Sequence, residues 1–344
     1  MSTLVLLTVV AIGVILVFDY TNGFHDASNI IATVIASRAM TPIQAVIVVA
    51  TFEFLGPLLG GTAVANTIGT FVDVASLGRT QSVTVILCGI IGAIVWNLGT
   101  WWVGIPSSSS HALVGGLVGA VVLAAGPQYV HWGWTELTVD HHVTGVTKVL
   151  LALVLSPLIG FWAGFGVHRL MSRLLSRARP SANKGLRRAQ WFTSAWLAFS
   201  HGANDAQKSM GIITLVLLLG GFLPGFEVPF WVILTCASAI TLGILSGGWR
   251  IVRTVGFGIY KVRPLHAFDA QVTAASVIFA ASSLGAPVST THVVSSSIMG
   301  IGASERPKAV RWAKAKEIVS TWVVTIPGAA LVASGAFLVS EVVT

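Results

Sequence analysis

Long apolar runs alternate with short polar segments along almost the whole chain. Ten runs are long enough for a membrane helix, which needs roughly 20 apolar residues. They span about residues 4–36, 42–60, 82–102, 104–124, 145–168, 191–222, 229–248, 264–284, 285–304 and 317–340. The runs at 4–36 and 191–222 contain glycine and polar residues near their middle, which predicts broken helices there. The pattern predicts an all-α integral membrane protein with about ten crossings.

Composition supports this class. The chain has 344 residues, of which 54% are hydrophobic and 9% charged, whereas soluble domains carry about 25% charged residues. A formal net charge of +8 would suggest a nucleic-acid partner for a soluble protein. Here the basic residues fall in short loops between apolar runs, so we expect a lipid bilayer around the chain and no nucleic acid. Because a P-loop motif and a large soluble domain are missing, we expect neither an enzyme nor a primary pump.

The positions of lysine and arginine predict the orientation. The loops after residues 168, 248 and 304 are basic, and one arginine follows the first run. In the ten-crossing arrangement these loops share one side of the membrane, which is predicted to be cytoplasmic, so both termini are external. The basic residues are Arg38, Arg169, Arg173, Arg177, Arg179, Lys184, Arg187, Arg188, Arg250, Arg253, Lys261, Arg263, Arg306, Lys308, Arg311, Lys314 and Lys316.

One constellation of residues occurs twice. NGFHD ends at Asp26 and is followed by GIPSSSSH, and HGAND ends at Asp205 and is followed by GAPVSTTH. Asp26 lies 80 residues before Pro106, and Asp205 lies 82 residues before Pro287. In the predicted arrangement the two copies face opposite ways. This is the inverted-topology repeat of many secondary transporters, which bind their substrate near the bilayer midplane.

The predicted organisation has four parts. Residues 1–125 form the first repeat, 126–190 a linker helix and a basic cytoplasmic loop, 191–305 the second repeat, and 306–344 a basic loop and the final membrane helix. If each Pro-Ser segment is a re-entrant hairpin of two half-helices, the count rises to as many as twelve crossings.

The two Pro-Ser segments carry the chemistry of an anion site. Proline is favoured in the first turn of a helix. The free backbone N–H groups that follow it lie at the N-terminus, which is the positive end of the helix dipole. That end binds phosphate-like anions. The alternative is that these small residues only allow close helix packing. The hydroxyl groups that would add donors are those of Ser107, Ser108, Ser109, Ser110, Ser289, Thr290 and Thr291.

The motif aspartates are candidates for binding a coupling cation. Asp26 and Asp205 each follow a predicted glycine break, at Gly23 and Gly202, where freed carbonyl groups would help to hold a cation. The alternative is a structural carboxylate that caps a half-helix. Glu53 is another carboxylate inside an apolar run and is our preferred proton carrier. The nearby polar candidates are Asn22, Asn29 and Asn204.

The remaining polar candidates are one lysine, four histidines and one glutamine. Lys208 stands three residues after Asp205 and would replace a bound alkali ion or neutralise phosphate; the alternative is a lysine that extends to the membrane interface. The histidines would orient other groups or relay protons, and no zinc motif accompanies them, so we predict no metal site built by the protein alone. These residues are His25, His111, His201, His292 and Gln271.

At these residues the chain resembles a known family. NGFHDASNIIATVIASRAMTP, WNLGTWWVGIPSSSSHALVGGLVG, FSHGANDAQKSMG and GAPVSTTHVVSSSIMG look like the signature segments of the low-affinity inorganic phosphate transporter (Pit) family. The resemblance is strongest to the bacterial proton-coupled branch, which carries phosphate with a divalent metal as a neutral complex. It implies an inverted-repeat fold in the bacterial inner membrane, a homodimer, phosphate held by the Pro-Ser-Thr segments, and cation coupling through Asp26 and Asp205.

Departures from the sodium-coupled branch favour protons. That branch usually reads GANDVAN in both repeats, whereas this chain reads GFHDASN and GANDAQK, with His25 and Lys208 in place of asparagine. Glu53 matches a family glutamate, and Gln271 replaces another. The expected function is therefore import of inorganic phosphate by proton symport, without a cofactor. The alternatives are a sulfate permease, a sodium-coupled symporter of the same fold, and a passive channel or phosphate-sensing subunit.

Overall fold

The computed structural model describes residues 3–247, 251–252 and 254–343. Arg250 and Arg253, two of the basic residues used to predict the orientation, lie outside the described residues. Within the described part the regular structure is helical, apart from one isolated antiparallel bridge between Val72 and Val130. The prediction of an all-α protein is confirmed.

Twelve α-helices are described in these ranges. Five of them (α1, α2, α4, α7 and α12) are long and apolar enough to cross a membrane. Their bounds are α1 Thr3–Ala36, α2 Pro42–Leu59, α3 Ala63–Gly69, α4 Arg79–Val103, α5 Ser109–Ala124, α6 Trp134–Thr138, α7 Gly145–Leu174, α8 Ala182–Leu219, α9 Phe230–Ser246, α10 Pro264–Ser283, α11 Thr290–Glu305 and α12 Trp312–Val343.

The prediction of breaks in the two motif helices is wrong. Both α1 and α8 run through their motif glycines as continuous helices. A Cβ atom at Gly23 would lie 2.0 Å from the Ile240 carbonyl oxygen, and one at Gly202 would lie 2.3 Å from the Glu53 carbonyl oxygen. The glycines therefore allow neighbouring backbones to approach closely, and the carbonyl groups around them stay in helical hydrogen bonds.

The Pro-Ser segments begin their helices later than predicted. Helices α5 and α11 have 16 residues each, or about 24 Å at 1.5 Å per residue, which is shorter than the roughly 30 Å hydrocarbon core. The prolines precede the helices by several residues instead of occupying the first turn. The reason is that Ser108 and Ser289 cap the helices, because their hydroxyl groups accept the backbone N–H of His111 and His292.

Two apolar clusters flank the motif segments. On α1, Phe18 belongs to the first cluster and Ala27 to the second. On α8 the order is reversed, because Ala198 belongs to the second cluster and Ala206 to the first. Helices α1 and α8 therefore run in opposite directions, and the polar motif residues lie in the layer between the clusters.

Candidate functional site

The two motif helices contact one another through their polar residues. The Asn22 side-chain amide donates to Asp205 Oδ2 at 3.4 Å, and His201 Nε2 lies 3.8 Å from Asp26 Oδ2 and 3.6 Å from Asp205 Oδ2. Asn22 and His201 occupy the first position of their motifs, and the aspartates occupy the last. The first residue of each motif thus reaches the aspartate of the other motif, as the antiparallel crossing requires.

The N-termini of the two short helices meet at these aspartates. Ser109 Oγ donates to Asp26 Oδ2 at 3.3 Å, and Thr291 Oγ1 donates to Asp26 Oδ1 at 3.1 Å. Thr290 Oγ1 lies 3.4 Å from Asp26 Oδ2 and 3.4 Å from Asp205 Oδ2. Because the N-terminus of a helix carries partial positive charge and free N–H groups, a negative group is stabilised at this point. The predicted convergence of hydroxyl groups from both copies is present, and the Asp26 carboxylate lies at its centre.

The other predicted hydroxyl groups hold the two Pro-Ser segments in position. Ser108 and Ser289 are the helix caps. Ser110 Oγ donates to the Val288 carbonyl at 3.1 Å, which ties one segment to the other, and Ser107 Oγ lies 2.9 Å from Thr100 Oγ1. In this structure these four residues position the helix ends and make no described contact with the aspartates.

Lys208 and Glu53 both connect to the aspartate pair. Lys208 is fully buried, and its Nζ donates to Asp205 Oδ1 at 2.7 Å. The alternative of a lysine extending to the interface is wrong for this structure, because Asp205 holds the ammonium group inside. Glu53 on α2 reaches the pair through His201, since Glu53 Oε1 and His201 Nδ1 are 2.7 Å apart.

The supporting residues of the first motif lie beside Asp26. His25 Nδ1 is 2.8 Å from Asp26 Oδ1, so this histidine can donate to the carboxylate. The Asn29 amide donates to Thr291 Oγ1 at 2.8 Å and orients the hydroxyl that contacts Asp26. These two predicted residues are in place.

Two further predicted residues point elsewhere. The Asn204 amide donates to Ser282 Oγ at 2.9 Å and to the Ala286 carbonyl at 3.2 Å, so it anchors the segment before α11. Gln271 donates to Thr33 Oγ1 at 2.9 Å. Neither side chain has a described contact with an aspartate.

The histidines of the Pro-Ser segments lie behind the site. The rings of His111 and His292 are 4.5 Å apart, and His292 stacks on Trp322 at 3.8 Å. They follow Ser109 and Thr290 by two residues, which is about 200° around a helix. They therefore face away from the aspartates and pack the two helix ends together.

Sequence reasoning missed Asp19. This residue on α1 is fully buried, and its Oδ1 accepts the Ser209 hydroxyl at 2.7 Å. The signal was available, because residues 19, 22, 26 and 29 lie on one helical face. It also missed His168, whose Nδ1 is 2.7 Å from Asp269 Oδ2 near the other end of the bundle.

In the described part of the chain, two groups of side chains are arranged closely enough to hold a cation. One is the set Asp26, His201 and Asp205, whose ligand atoms lie within 4.8 Å of one another. The other is a separate set near the start of α10, which consists of His168, His266 and Glu305. The first group lies at the centre of the predicted site.

The charges of the site are unbalanced. Among the described residues, the site brings together four buried carboxyl groups, one buried ammonium group and the buried imidazoles of His25 and His201. An ionised group in a low dielectric is costly unless it is paired, so an added anion requires protons or metal cations to neutralise the carboxylates. The carboxyl groups are those of Asp19, Asp26, Glu53 and Asp205, and the ammonium group is that of Lys208.

Comparison with known proteins decides the family. A family model described as "Phosphate transporter family" matches residues 22–186 and 176–333. The chain belongs to the phosphate transporter family. It is 44% identical over 334 residues to a probable low-affinity inorganic phosphate transporter of Rhizobium meliloti, with 96% of each chain covered. It is 40% identical over 346 residues to a protein of the same description from Bacillus subtilis, with 100% of each covered.

A solved structure shares the fold of this family member. The protein named as the sodium-dependent phosphate transporter has a TM-score of 0.79 and 25% sequence identity, and the match covers 98% of this chain and 100% of that one. The resemblance to the low-affinity phosphate transporters is thus confirmed. Because the relatives are transporters, the expectation that this protein is not an enzyme is confirmed as well.

Proposed function

We propose that this protein imports inorganic phosphate by proton symport, with alternating access to a site between α1, α5, α8 and α11. The observation that carries the proposal is the position of Asp26, which receives hydroxyl donors from the N-termini of both short helices. A tetrahedral oxyanion that enters between the same donors would take over these hydrogen bonds and the favourable ends of two helix dipoles.

The buried position of the site suits alternating access. Asp26, Asp205 and Thr290 are at most 1% exposed, so these residues are buried from solvent in this structure. Such a site needs a relative movement of the two halves before phosphate can enter or leave. Ser107, Ser108, Ser110 and Ser289 would keep the helix ends in shape, and Ser109, Thr290 and Thr291 would contact the anion.

Proton coupling is supported by the residues around Asp205. The Lys208 ammonium occupies a place beside the carboxylate, 2.7 Å away, where an alkali ion would otherwise lie. His201 bridges Asp26, Asp205 and Glu53, all of which can carry a proton. We assign the coupling role to Asp26, Asp205 and Glu53. The solved relative is named as sodium-dependent, so sodium symport is the competing coupling mode.

A divalent metal would enter as part of the cargo. The group of Asp26, His201 and Asp205 offers carboxylate and imidazole ligands within 4.8 Å of one another. A metal there would offset the negative charge of the aspartates and of phosphate together. We therefore include transport of a neutral metal-phosphate complex in the proposal, and no resident cofactor.

The proposal also covers topology and assembly. The antiparallel α1 and α8 support two inverted repeats, at 1–125 and 191–305, joined by residues 126–190 and closed by 306–344. We propose that both termini lie outside the bacterial inner membrane, because the basic loops share one side of the predicted arrangement. The resemblance to the family adds a homodimer to the proposal.

Radiolabelled phosphate uptake into proteoliposomes tests the function. A pH gradient is imposed without sodium, and magnesium is varied. We expect accumulation that needs the inward proton gradient and persists in excess sulfate. A magnesium requirement would support the metal-phosphate cargo. Uptake only with sodium would overturn proton coupling, displacement by sulfate would favour a sulfate permease, and flux without accumulation would favour a channel.

Asp205→Asn is the sharpest variant for the coupling role. The amide keeps the shape of the side chain but removes the charge beside Lys208, so we expect gradient-driven uptake to be lost. Asp140→Asn, in an exposed loop, is the matched control and should transport normally. Membrane insertion of both variants is checked first, and normal uptake by an inserted Asp205→Asn protein would exclude the assigned role.

A further inference from the structure

Asp19 is a buried acid beside the aspartate pair, and the proposed transport mechanism assigns it no role. It lies on α1, seven residues before Asp26, and its side chain has no exposed surface. Seven residues correspond to about 10 Å along a helix. Asp19 thus lies on the face of α1 that carries the site, displaced toward the end of the helix that the basic loops predict to be external.

The surroundings of Asp19 come from three helices. Ser209 on α8 donates to Asp19 Oδ1 at 2.7 Å, and the Cys236 thiol on α9 faces the same carboxyl group. The charged groups that act electrostatically on Asp19 are Asp205 and Lys208, both on α8. Lys208 already forms an ion pair with Asp205 at 2.7 Å. Among the described residues no cationic side chain pairs with Asp19.

One oxygen of Asp19 has no partner. Its Oδ2 is buried and has no hydrogen-bond partner of normal geometry among the described residues; the Cys236 thiol beside the carboxyl group is only a weak donor. An unpaired carboxylate in an apolar interior is costly, and a proton on the free oxygen removes that cost. A purely structural acid would be expected to have both oxygens satisfied.

We propose that Asp19 is a second proton-binding site of the carrier, placed on the external side of the aspartate pair. This inference rests on the proposed proton symport. A proton taken up on Asp19 Oδ2 lowers the negative charge facing Asp205, so phosphate binds more readily, and by linkage bound phosphate promotes proton uptake. When the carrier opens inward and phosphate leaves, the proton leaves the same oxygen for water.

A proton-binding Asp19 and a purely structural Asp19 predict different pH dependence of phosphate uptake. Asp19→Asn keeps the oxygen that accepts from Ser209 but cannot bind or release a proton. Ser209→Ala does the opposite, since it removes the hydrogen bond and leaves the acid. Asp19→Glu retains the acid on a longer side chain. If Asp19 binds a proton, only Asp19→Asn should lose proton coupling. If Asp19 serves only as a structural hydrogen-bond acceptor, Asp19→Asn and Ser209→Ala should impair transport to a similar extent.

The experiment measures the pH dependence of phosphate uptake in proteoliposomes. In the wild type, the apparent KM for phosphate should fall as the external pH is lowered. For Asp19→Asn this dependence should weaken by a factor of about 5 or more, as expected for loss of a typical coupling between two ligands. Exchange of labelled for unlabelled phosphate without a gradient should continue, and Ser209→Ala and Asp19→Glu should keep the wild-type trend.

The outcomes separate this inference from the proposed function. If the wild type is driven by protons and Asp19→Asn keeps the full pH dependence, Asp19 is not a proton site and proton symport stands. If Asp19→Asn and Ser209→Ala lose uptake and exchange alike, the residue is structural and the inference is wrong. If the wild type shows no proton dependence, the proposed symport fails and the inference fails with it.

Discussion

The glycine of the first motif offers a direct test of why α1 is continuous. If Gly23 serves close packing, a single methyl group there must push α1 away from α9. If Gly23 serves to break the helix, alanine should disturb the contact with α9 very little. Gly23→Ala therefore distinguishes the two explanations by its effect on stability.

The size of the effect follows from the distances. The added Cβ would lie 2.0 Å from the Ile240 carbonyl oxygen, while ordinary contacts begin at 3.4 Å. The backbones must separate by about 1.4 Å, and overpacking typically costs about 1–3 kcal/mol. The Ile240 carbonyl belongs to the backbone and cannot move to another rotamer. We therefore take the upper end of this range, about 3 kcal/mol. Alanine is better than glycine in a helix by about 1 kcal/mol, which leaves a net loss of about 2 kcal/mol.

Thermal unfolding of the detergent-purified protein measures this loss. Unfolding entropy of about 2 cal/mol/K per residue gives roughly 0.7 kcal/mol/K for the whole chain, so Tm should fall by about 3 °C. The matched control is Gly13→Ala on the same helix, where an added Cβ meets nothing within 4 Å. We expect the Tm of that control to stay unchanged or to rise slightly.

Equal Tm values for the two variants would contradict the packing explanation. They would mean that α1 and α9 are not in close contact at Gly23 in the folded protein. A fall in Tm accompanied by normal phosphate transport would keep the packing role and show that the carrier tolerates the displacement of α1.

Three further variants test the site itself. Lys208→Met should destabilise the protein by about 3–5 kcal/mol because it removes the ammonium group that neutralises the buried Asp205 carboxylate, and Tm should recover when Asp205→Asn is added; no recovery would rule out the ion pair. Ser109→Ala combined with Thr290→Ala should raise the apparent KM for phosphate roughly tenfold through lost hydrogen bonds. Ser283→Ala, which removes an exposed hydroxyl, is the control. An unchanged KM in the double variant would mean that the anion binds elsewhere. Lys208→Asn should introduce sodium-stimulated uptake, and absence of any sodium effect would exclude the idea of a replaced ion.

Rare polar residues in apolar surroundings made much of the site predictable. Asp26 and Asp205 occur in matching motifs inside apolar runs, where charge is expensive, so a shared purpose could be inferred before any contact was known. The hydroxyl groups of Ser109, Thr290 and Thr291 followed from the same repetition. Each of these predictions rested on polar residues repeated inside apolar runs, and the cost of burying such residues does not depend on how the helices pack.

Other features depended on neighbours that the sequence does not identify. A glycine such as Gly23 is compatible with a helix break or with a close helix contact, and only the position of Ile240 decides between them. His111 shares a segment with the hydroxyls that we propose to bind the anion, yet the start of α5 at Ser109 turns its ring away from the aspartates. Asp19 has no counterpart beside the second motif, because Ala198 occupies the matching position, so the repetition that marks Asp26 and Asp205 does not mark Asp19.

The reciprocal contacts of the two motifs have an evolutionary consequence. Asn22 contacts Asp205 and His201 lies near Asp26, so each motif is completed by a residue of the other motif. We expect a substitution at Asn22 to change the surroundings of Asp205, about half the chain away, more than those of the residues in its own motif. We therefore expect that neither motif could be exchanged for a second copy of the other, and that substitutions in family members arise as pairs, one in each motif.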